Sequence, residues 1–497
     1  MILAHDLGTT GNKASLHDDS GRLLVATTVE YSTDFRPGGV AEQSADDWWN
    51  AVRHATSELL ATSGRPADEV SGLVISGQMM GAVLLDSDFH PVRPAIIWAD
   101  DRATVQTAQL LERIPAAEAY RELGHQLNPT YSIAKVMWVR DHEPEAWRRV
   151  RHVCLAKDYV NYLLTGELVT DPSDASSTNA YDQQIGQWST RVLEAAGIDP
   201  ALMPRIVPST DIIGHVTERA AAKIGLRAGT PVVAGGGDGP MAAVGAGVIS
   251  EADGVYVSLG SSSWVSCASD VPMHDPQMRS MTFNHVVPGK FVPTATMQAG
   301  AASVSWARET LKLTGVSTTE AVEGAAEGRG ASAGLYFLPH LMGERSPYWN
   351  AEAAGAFVGL ERFHTSQDMM RAVLEGVGFN LATCLGALRD AGRDIDGVDA
   401  IAGGALSDTW LQILADIWGL PVRRRTVVRE ANSMGAAVTG LVGLGRADFG
   451  AARGLSHISA EFAPDLDSHA GYRNNHEMFL DAYSRLEGWF TKRAALL

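Results

Sequence analysis

The sequence predicts an α/β protein made of two halves of similar size. The chain has 497 residues, whereas a single hydrophobic core usually stops growing at about 250–300 residues. Strand-like segments alternate with segments of helical periodicity, which is typical of α/β folds. In addition, an apolar strand followed by Leu-Gly and two hydroxyl residues occurs at residues 7–10 and again at 259–262.

The sequence of the first half predicts strands, turns and helices in close succession. Residues 1–30 predict two strands joined by turns, with DDSGR at 18–22 as a hairpin loop. A helix is predicted over 44–64, with Ser44 as its N-cap and Gly64 as its stop. Further predictions for this half are strand–turn–strand at 70–86, a strand at 94–102, mostly helix at 103–170, and a strand, glycine turn and small-residue helix at 229–247.

The second half begins near residue 250 with the same succession of elements. A strand–turn–strand unit is predicted at 253–269, and a long helix at 365–388 begins with a Thr365/Asp368 capping box. The remaining predictions are a strand, glycine turn and helix at 395–422, a tightly packed helix at 432–445, and an amphipathic helix near 475–495.

Charge and cysteine usage narrow the class of protein. With 40 basic and 58 acidic residues, the net charge of −18 disfavours nucleic acid and anionic membranes as partners. The three cysteines lack metal-ligand or disulfide spacing, which favours a reducing compartment. Asp6 interrupts the first apolar run, and we find no long uncharged apolar stretch. We therefore expect a cytoplasmic protein without a membrane partner.

The repeated Leu-Gly pattern predicts two phosphate-binding turns. A strand that turns back through small hydroxyl residues points its backbone N–H groups and hydroxyls into the turn, where they can hold a phosphate. An ordinary polar hairpin is the alternative, but two copies at the start of two halves favour the phosphate interpretation. Asp6 would repel phosphate unless a cation lay between them, which indicates Mg²⁺. The predicted phosphate-binding residues are Gly8, Thr9, Thr10, Gly260, Ser261 and Ser262.

Two other glycine turns carry candidate chemistry. In AGGGDGP at 234–240, Asp238 follows a strand end, where a carboxylate can act as a general base; a turn-capping Asp is the alternative. AGGALSD at 402–408 could let an adenine or ribose lie against the backbone. The sequence lacks a P-loop, a complete protein-kinase motif set, a G-x-G-x-x-G turn in the glycine run, and a Cys/His zinc cluster.

Taken in order, these motifs resemble the FGGY carbohydrate kinases, and most closely the xylulokinase branch of that family. The resemblance covers nearly the whole chain. Its segments are DLGTTG (6–11), EQSADDWW (42–49), SGQMMGAVLLD (76–86), PAIIWADDR (94–102), LAKDYVNYLLTGELVTDPSDAS (155–176), VVAGGGDGPMAAVGAG (232–247), VSLGSSS (257–263), LPHLMGERSPYWNAEAAGAFVGL (338–360), GGALSDTWLQILADIWGLPV (403–422) and SMGAA (433–437).

The resemblance implies an actin-like, ribonuclease-H-like ATPase fold with a central cleft. A first lobe at 1–248 would hold the sugar, the first phosphate loop and the base, and a second lobe at 249–497 would hold the second phosphate loop and the adenosine. Asp238 would be the catalytic base, Asp6 would hold Mg²⁺ on ATP, and Gly404 and Ala405 would contact the adenosine. The family also implies a homodimer.

The implied activity is phosphorylation of D-xylulose to D-xylulose 5-phosphate by Mg-ATP. The sugar-site residues carried over are Gln78, Met79, Met80, Trp98, Asp100 and Asp238. The chain departs from the usual xylulokinase pattern at Met80, Ala99 and Gly239, where His, Asn and Asn are typical, so polar groups are lost near the sugar. Another ketopentose, a polyol or a related sugar therefore remains an alternative substrate, and a non-catalytic sugar sensor an alternative function.

Two prominent features are expected to be structural. Trp48 and Trp49 should pack helices, and Glu344 and Arg345 are expected to form a buried ion pair that joins the lobes.

Neither a DNA-binding helix pair with a basic face nor a peptide-binding domain after the second half is evident, which disfavours a transcriptional regulator and a chaperone-type ATPase.

Overall fold

The computed structural model describes residues 1–313, 315–426 and 430–496. Its first half contains, in chain order, β1 (Ile2–Leu7), β2 (Gly11–His17), β3 (Leu23–Glu30), β4 (Asp34–Arg36), β5 (Val40–Gln43), α1 (Ala45–Ser63), β6 (Gly72–Gly77), β7 (Val83–Leu85), β8 (Ala95–Ile96), α2 (Thr104–Arg113), α3 (Ala116–Leu123), α4 (Ser132–His142), α5 (Pro144–Trp147), β9 (His152–Cys154), α6 (Ala156–Thr165), β10 (Val169–Thr170), α7 (Pro172–Ala175), β11 (Tyr181–Asp182), β12 (Gln187–Trp188), α8 (Thr190–Ala196), β13 (Arg205–Ile206), β14 (Ile212–His215), α9 (Glu218–Ile224), β15 (Pro231–Gly237) and α10 (Asp238–Gly245).

The second half contains β16 (Val255–Leu259), β17 (Ser263–Cys267), β18 (Met281–Asn284), β19 (Phe291–Met297), α11 (Ala301–Thr310), α12 (Thr318–Gly324), β20 (Tyr336–Leu338), β21 (Ala356–Val358), α13 (Ser366–Asp390), β22 (Val398–Ile401), α14 (Asp408–Trp418), β23 (Val422–Arg425), α15 (Ala431–Gly443), α16 (Ala451–Leu455), β24 (Ile458–Phe462) and α17 (Leu466–Ala494).

Two large mixed sheets share one pairing pattern. The first has the strand order β14–β15–β6–β1–β2–β3, and the second has β18–β19–β17–β16–β22–β23–β24. In the first sheet β1 is antiparallel to β2 and parallel to β6; in the second, β16 is antiparallel to β17 and parallel to β22. The two Leu-Gly turns therefore join equivalent strand pairs in the two halves.

The first 30 residues form three strands, where the sequence pattern predicted two. The polar turn after Leu7 separates β1 from β2, because the N–H of Gly8 donates to the carbonyls of Asp6 and Gly11 and closes a tight hairpin. The DDSGR loop then joins β2 to β3. Two hairpin turns therefore divide these residues into three strands, one more than predicted.

Most predicted helices form, with shifted ends. Helix α13 begins with the predicted capping box, in which Thr365 Oγ1 accepts from the N–H of Asp368 at 3.2 Å. Helix α1 is followed by Gly64, which has a left-handed conformation and stops the helix as predicted. The Ser44 side chain, however, makes no capping hydrogen bond to the described residues of the helix. The predicted helical stretch 103–170 also contains the short strands β9 and β10, and α17 begins at Leu466, well before residue 475.

Two helices pack against each other and against both halves. Helices α10 and α15 pack so closely that a Cβ on Gly435 would lie 1.9 Å from the carbonyl oxygen of Met241. Although α15 comes from the second half, its Ala437 and Leu441 join an apolar cluster with Ile2 of the first sheet. Ala243 of α10 in turn clusters with Tyr256 and Ile401 of the second sheet. The division at 248/249 stays a prediction, and the core connects its two sides.

No helix in the described residues is both long and apolar enough to cross a membrane.

Candidate active site

Two neighbouring cavities open between the two large sheets. The smaller has a volume of about 170 Å³ and the larger about 740 Å³. The smaller cavity takes its walls from both halves and is lined by Thr9, Met79, Met80, Trp98, Asp238, Gly239, Pro240, Ser262, Trp264, Met281, Phe283, Val292, Thr294, Thr296 and Arg345. One residue from each predicted phosphate turn, Thr9 and Ser262, therefore borders the same space as Asp238.

The larger cavity contains three more of the predicted nucleotide contacts. Gly260 and Ser261 of the second turn and Gly404 of the later glycine turn line it. Its walls also include residues that the sequence analysis did not single out, among them Lys13, Trp410, Glu430 and Ser433. A pocket lined by hydroxyl groups and glycine backbone suits a nucleotide.

Six predicted residues lie outside the lining of both cavities. Gly8 and Thr10 form the backbone of the first turn, where their carbonyls accept from Tyr31 Oη and Tyr31 N–H. Ala405 is fully buried beneath the later glycine turn. Gln78 is also buried, and its Nε2 donates to Gln43 Oε1 at 2.8 Å. Asp6 lies at the end of β1.

Asp100, the sixth, does not line the smaller cavity. Its carboxylate is fully buried and accepts from the N–H of Ala41 at 2.7 Å and from Arg102 Nε at 2.9 Å. An ion pair with these additional hydrogen bonds leaves little capacity for a ligand. The geometry indicates that Asp100 fixes the loop that carries Trp98.

Asp238 is the titratable carboxylate of the smaller cavity. It begins α10 directly after β15, and its Oδ1 accepts from the N–H of Gly239 at 2.8 Å. Burial, together with the charge of Asp6, raises the pKa of Asp238 to about 7. A carboxylate with a pKa near the working pH is well suited to accept a proton at neutral pH.

Asp6 lies close behind Asp238 and is joined to the second half. Its Oδ1 accepts from Ser76 Oγ at 2.9 Å and from Asn432 Nδ2, at the start of α15, at 3.4 Å. Burial raises the pKa of Asp6. Both of these hydrogen bonds fall on Oδ1, so Oδ2 can face a hydrated cation, which fits the oxygen ligands that Mg²⁺ prefers.

Comparison with known proteins identifies the family. The description "FGGY family of carbohydrate kinases, N-terminal domain" matches residues 1–245, and the corresponding C-terminal domain matches residues 255–444. The chain belongs to the FGGY family of carbohydrate kinases. This assignment confirms the predicted family and enzyme class, a phosphotransferase that uses ATP and an alcohol acceptor.

Three relatives illustrate the similarity of this FGGY kinase to characterised members. The xylulose kinase of Escherichia coli K12 is 34% identical, over 98% of this chain and 99% of its own. Crystal structures of a gluconate kinase and of a ligand-bound xylulose kinase, both from Lactobacillus acidophilus, each superpose with a TM-score of 0.91 at 25% identity, over 99% of both chains. These structures confirm the predicted two-lobe actin-like fold.

Arg345 is the main site residue of this FGGY kinase that the sequence analysis assigned to another role. Its guanidinium lies over the ring of Trp98, 5.2 Å from the centroid, and Nη2 donates to Thr296 Oγ1 at 3.3 Å. Its Nε is buried and has no hydrogen-bond partner among the described residues. The expected pair with Glu344 is replaced, because the Glu344 carboxylate accepts from Asn380 Nδ2 and contacts His340 Nδ1 at 2.9 Å.

Much of the wall of the smaller cavity in this FGGY kinase is apolar. The indole N–H of Trp98 donates to Thr9 Oγ1 at 2.7 Å, and that of Trp264 donates to Tyr256 Oη at 3.1 Å, so both rings present carbon atoms to the cavity. Met80 joins an apolar cluster with Phe283. The polar groups of the cavity wall are the Asp238 carboxylate, the Arg345 guanidinium and the hydroxyls of Thr9, Ser262, Thr294 and Thr296.

Proposed function

We propose that this FGGY kinase phosphorylates D-xylulose with ATP to give D-xylulose 5-phosphate and ADP. The observation that carries the proposal is the shared cavity of Asp238, Thr9 and Ser262, which brings a base and both hydroxyl turns to one space. The similarity to the E. coli xylulose kinase over nearly the whole of both chains supports the choice of sugar.

In the proposed reaction, Asp238 accepts the proton of the attacking sugar hydroxyl. The hydroxyl oxygen forms a bond to the γ-phosphorus of ATP while the bond from that phosphorus to the bridging oxygen of ADP breaks. The hydroxyl and backbone donors of the two turns hold the phosphoryl oxygens, over which negative charge is spread. The apolar walls limit water, which would otherwise compete with the sugar as nucleophile.

We assign Mg²⁺ and the nucleotide to the residues beside this cavity. Asp6 would hold Mg²⁺, through water, and the ion supplies neutralisation of phosphate charge when bound. Gly260, Ser261 and Gly404 would contact ATP in the larger cavity, with Ala405 supporting the glycine turn from beneath. Lys13, which lines the same cavity, adds a cation for the phosphates.

We also propose a cytoplasmic compartment for this kinase. Cys154, Cys267 and Cys384 are all free and buried, which supports a reducing cytoplasm. The homodimer stays a prediction from the family.

A sugar acid is the second candidate substrate. The Arg345 guanidinium lines the cavity with its Nε unpartnered in the described part of the chain, and a guanidinium fork suits a carboxylate. The gluconate kinase from L. acidophilus shares the fold as closely as the xylulose kinase does.

A coupled ADP-release assay with Mg-ATP distinguishes these candidates. The panel contains ketopentoses, polyols, aldonates and glycerol, with a reaction lacking sugar as the baseline. We expect D-xylulose to give the highest kcat/KM. A higher value for gluconate would favour the sugar acid, and ADP release that no sugar raises above baseline would overturn the kinase proposal in favour of a sugar sensor.

A further inference from the structure

A buried serine holds the backbone directly before Asp238. The N–H of Gly237 donates to Ser173 Oγ at 2.9 Å, and Ser173 lies in α7, fully buried. Ser173 Oγ itself donates to Asp171 Oδ2 at 2.6 Å. Because its single proton is directed at a carboxylate, the hydroxyl oxygen presents a lone pair to Gly237, and the direction of this hydrogen-bond chain is fixed.

An ionic cluster holds Asp171 in place. Lys157 Nζ lies 2.7 Å from Asp158 Oδ1, 3.3 Å from Asp171 Oδ1 and 3.4 Å from Asp174 Oδ2, with all four side chains buried. The three carboxylates raise the pKa of Lys157, which stays cationic. Its ammonium stabilises negative charge on Asp171, and a charged acceptor forms the stronger hydrogen bond with Ser173.

The glycine run of β15 leaves room for this contact. A Cβ on Gly236 would lie 2.6 Å from Ser173 Oγ and 3.3 Å from Asp171 Oδ2. Any side chain at this position would push the serine and the carboxylate away from the strand. The second glycine of AGGGD is therefore explained by the approach of Ser173 together with Val286, whose Cγ1 would lie 2.4 Å from the same Cβ.

We propose that Ser173, oriented by Asp171, is a positioning residue for the base Asp238. By fixing the N–H of Gly237, it fixes the strand end from which the Asp238 side chain projects into the cavity. This inference rests on the proposed function, in which Asp238 is the base. It adds a role for DPSDAS, a segment that the proposed chemistry does not use.

The matched test compares Ser173→Ala with Ser209→Ala. Ser209 Oγ donates to the same oxygen of Asp171 at 2.7 Å and is also buried. Its contact with β15 runs through its backbone carbonyl, which accepts from Gly235 and survives the substitution. Each variant thus removes one hydroxyl donor to Asp171, but Ser173→Ala alone removes the acceptor of Gly237.

We expect Ser173→Ala to lower kcat by roughly 10- to 100-fold, since a misplacement of about 1 Å can cost 10² in rate. KM for sugar and for ATP should change less than threefold, and Ser209→Ala should keep the wild-type kcat. The acid limb of the kcat/KM profile should also shift in Ser173→Ala, because the environment of Asp238 changes. The charged groups around Asp238, namely Asp6, Arg345 and Asp174, are unaltered in both variants.

Equal losses of kcat in the two variants, or a wild-type kcat and pH profile in Ser173→Ala, would overturn the positioning role. If Ser173→Ala does not fold, Ser173→Cys keeps a hydrogen-bonding group at this position, although a larger one and a weaker acceptor, and an intermediate kcat is expected. Failure of the proposed function is separately visible, because wild-type enzyme would then release ADP with no sugar in the panel.

Discussion

Replacing Asp238 with Asn is expected to stabilise the protein while it removes the activity. The carboxylate is partly buried beside Asp6, and its pKa is raised to about 7 from an ordinary value of 3.8. Ionised Asp238 is therefore costly to the fold at neutral pH. Asn has the same shape, can still accept from the N–H of Gly239, and carries no charge.

The expected gain in the free energy of unfolding follows from the size of the pKa shift. About three pKa units correspond to about 4 kcal/mol, and we halve this to about 2 kcal/mol because the side chain keeps contact with solvent in the cavity. The stability that a raised carboxyl pKa contributes is present below about pH 4 and is lost as pH rises through about 7. The advantage of Asn is therefore greatest at pH 8 and shrinks toward pH 4.

Scanning calorimetry at pH 8 and pH 5 measures this difference. For a lobe of about 250 residues, 2 kcal/mol corresponds to an increase in Tm of about 4–8 °C at pH 8, and less than half of it should remain at pH 5. The ADP-release assay should show kcat lowered by about 10²–10⁴-fold. A lower Tm at pH 8, an equal increase at both pH values, or a retained kcat would each contradict the assignment of Asp238 as a buried base.

Two further substitutions test the two cavities separately. Met80→His adds a donor and an acceptor to the apolar wall, so the kcat/KM ratio of D-xylulose to a deoxy analogue should rise about tenfold; an unchanged ratio would exclude Met80 from specificity. Gly404→Ala places a Cβ 2.7 Å from Leu259 Cβ and should raise KM for ATP several-fold without changing KM for sugar. Gly403 lines the same cavity, but a Cβ there meets no described atom within 4 Å, so Gly403→Ala separates the added volume from the clash with Leu259 and should raise KM for ATP less than Gly404→Ala does.

The parts of the site that the sequence predicted are those made by short local segments. The Leu-Gly turns and the Asp238 turn are contiguous in sequence, and their chemistry follows from glycine, hydroxyl and carboxylate groups within a few residues. Their meeting in one cavity could be anticipated because equivalent turns follow equivalent strands of two similar sheets. Gln78 and Asp100 are polar residues on the correct segments, but partners distant in sequence, Gln43 and Ala41, occupy them.

Arg345 shows why a pair of adjacent charges is a poor guide to contact. The N–H of Arg345 donates to Glu344 Oε1 at 3.0 Å, so the two residues do interact, but through the backbone. The Glu344 carboxylate lies among core groups such as the amide of Asn380, while the Arg345 guanidinium lies over Trp98 in the cavity. The side chains of Glu344 and Arg345 therefore enter different environments, and their adjacency in the sequence does not indicate this.

Helices α10 and α15 both pack against the two sheets, and they connect Asp238 with Asn432, the residue that contacts Asp6. Asp238 begins α10, and Asn432, which contacts Asp6, lies in the first turn of α15. The two helices are held at glycine-to-backbone distance, so one cannot rotate without displacing the other. A change in the angle between the lobes would therefore move the base and the Asn432–Asp6 contact together. Closure of the cleft on ATP and sugar would thus move Asp238, on α10, and Asn432, on α15, in a single step, with Asp6, on β1, linked to this movement through its hydrogen bond from Asn432.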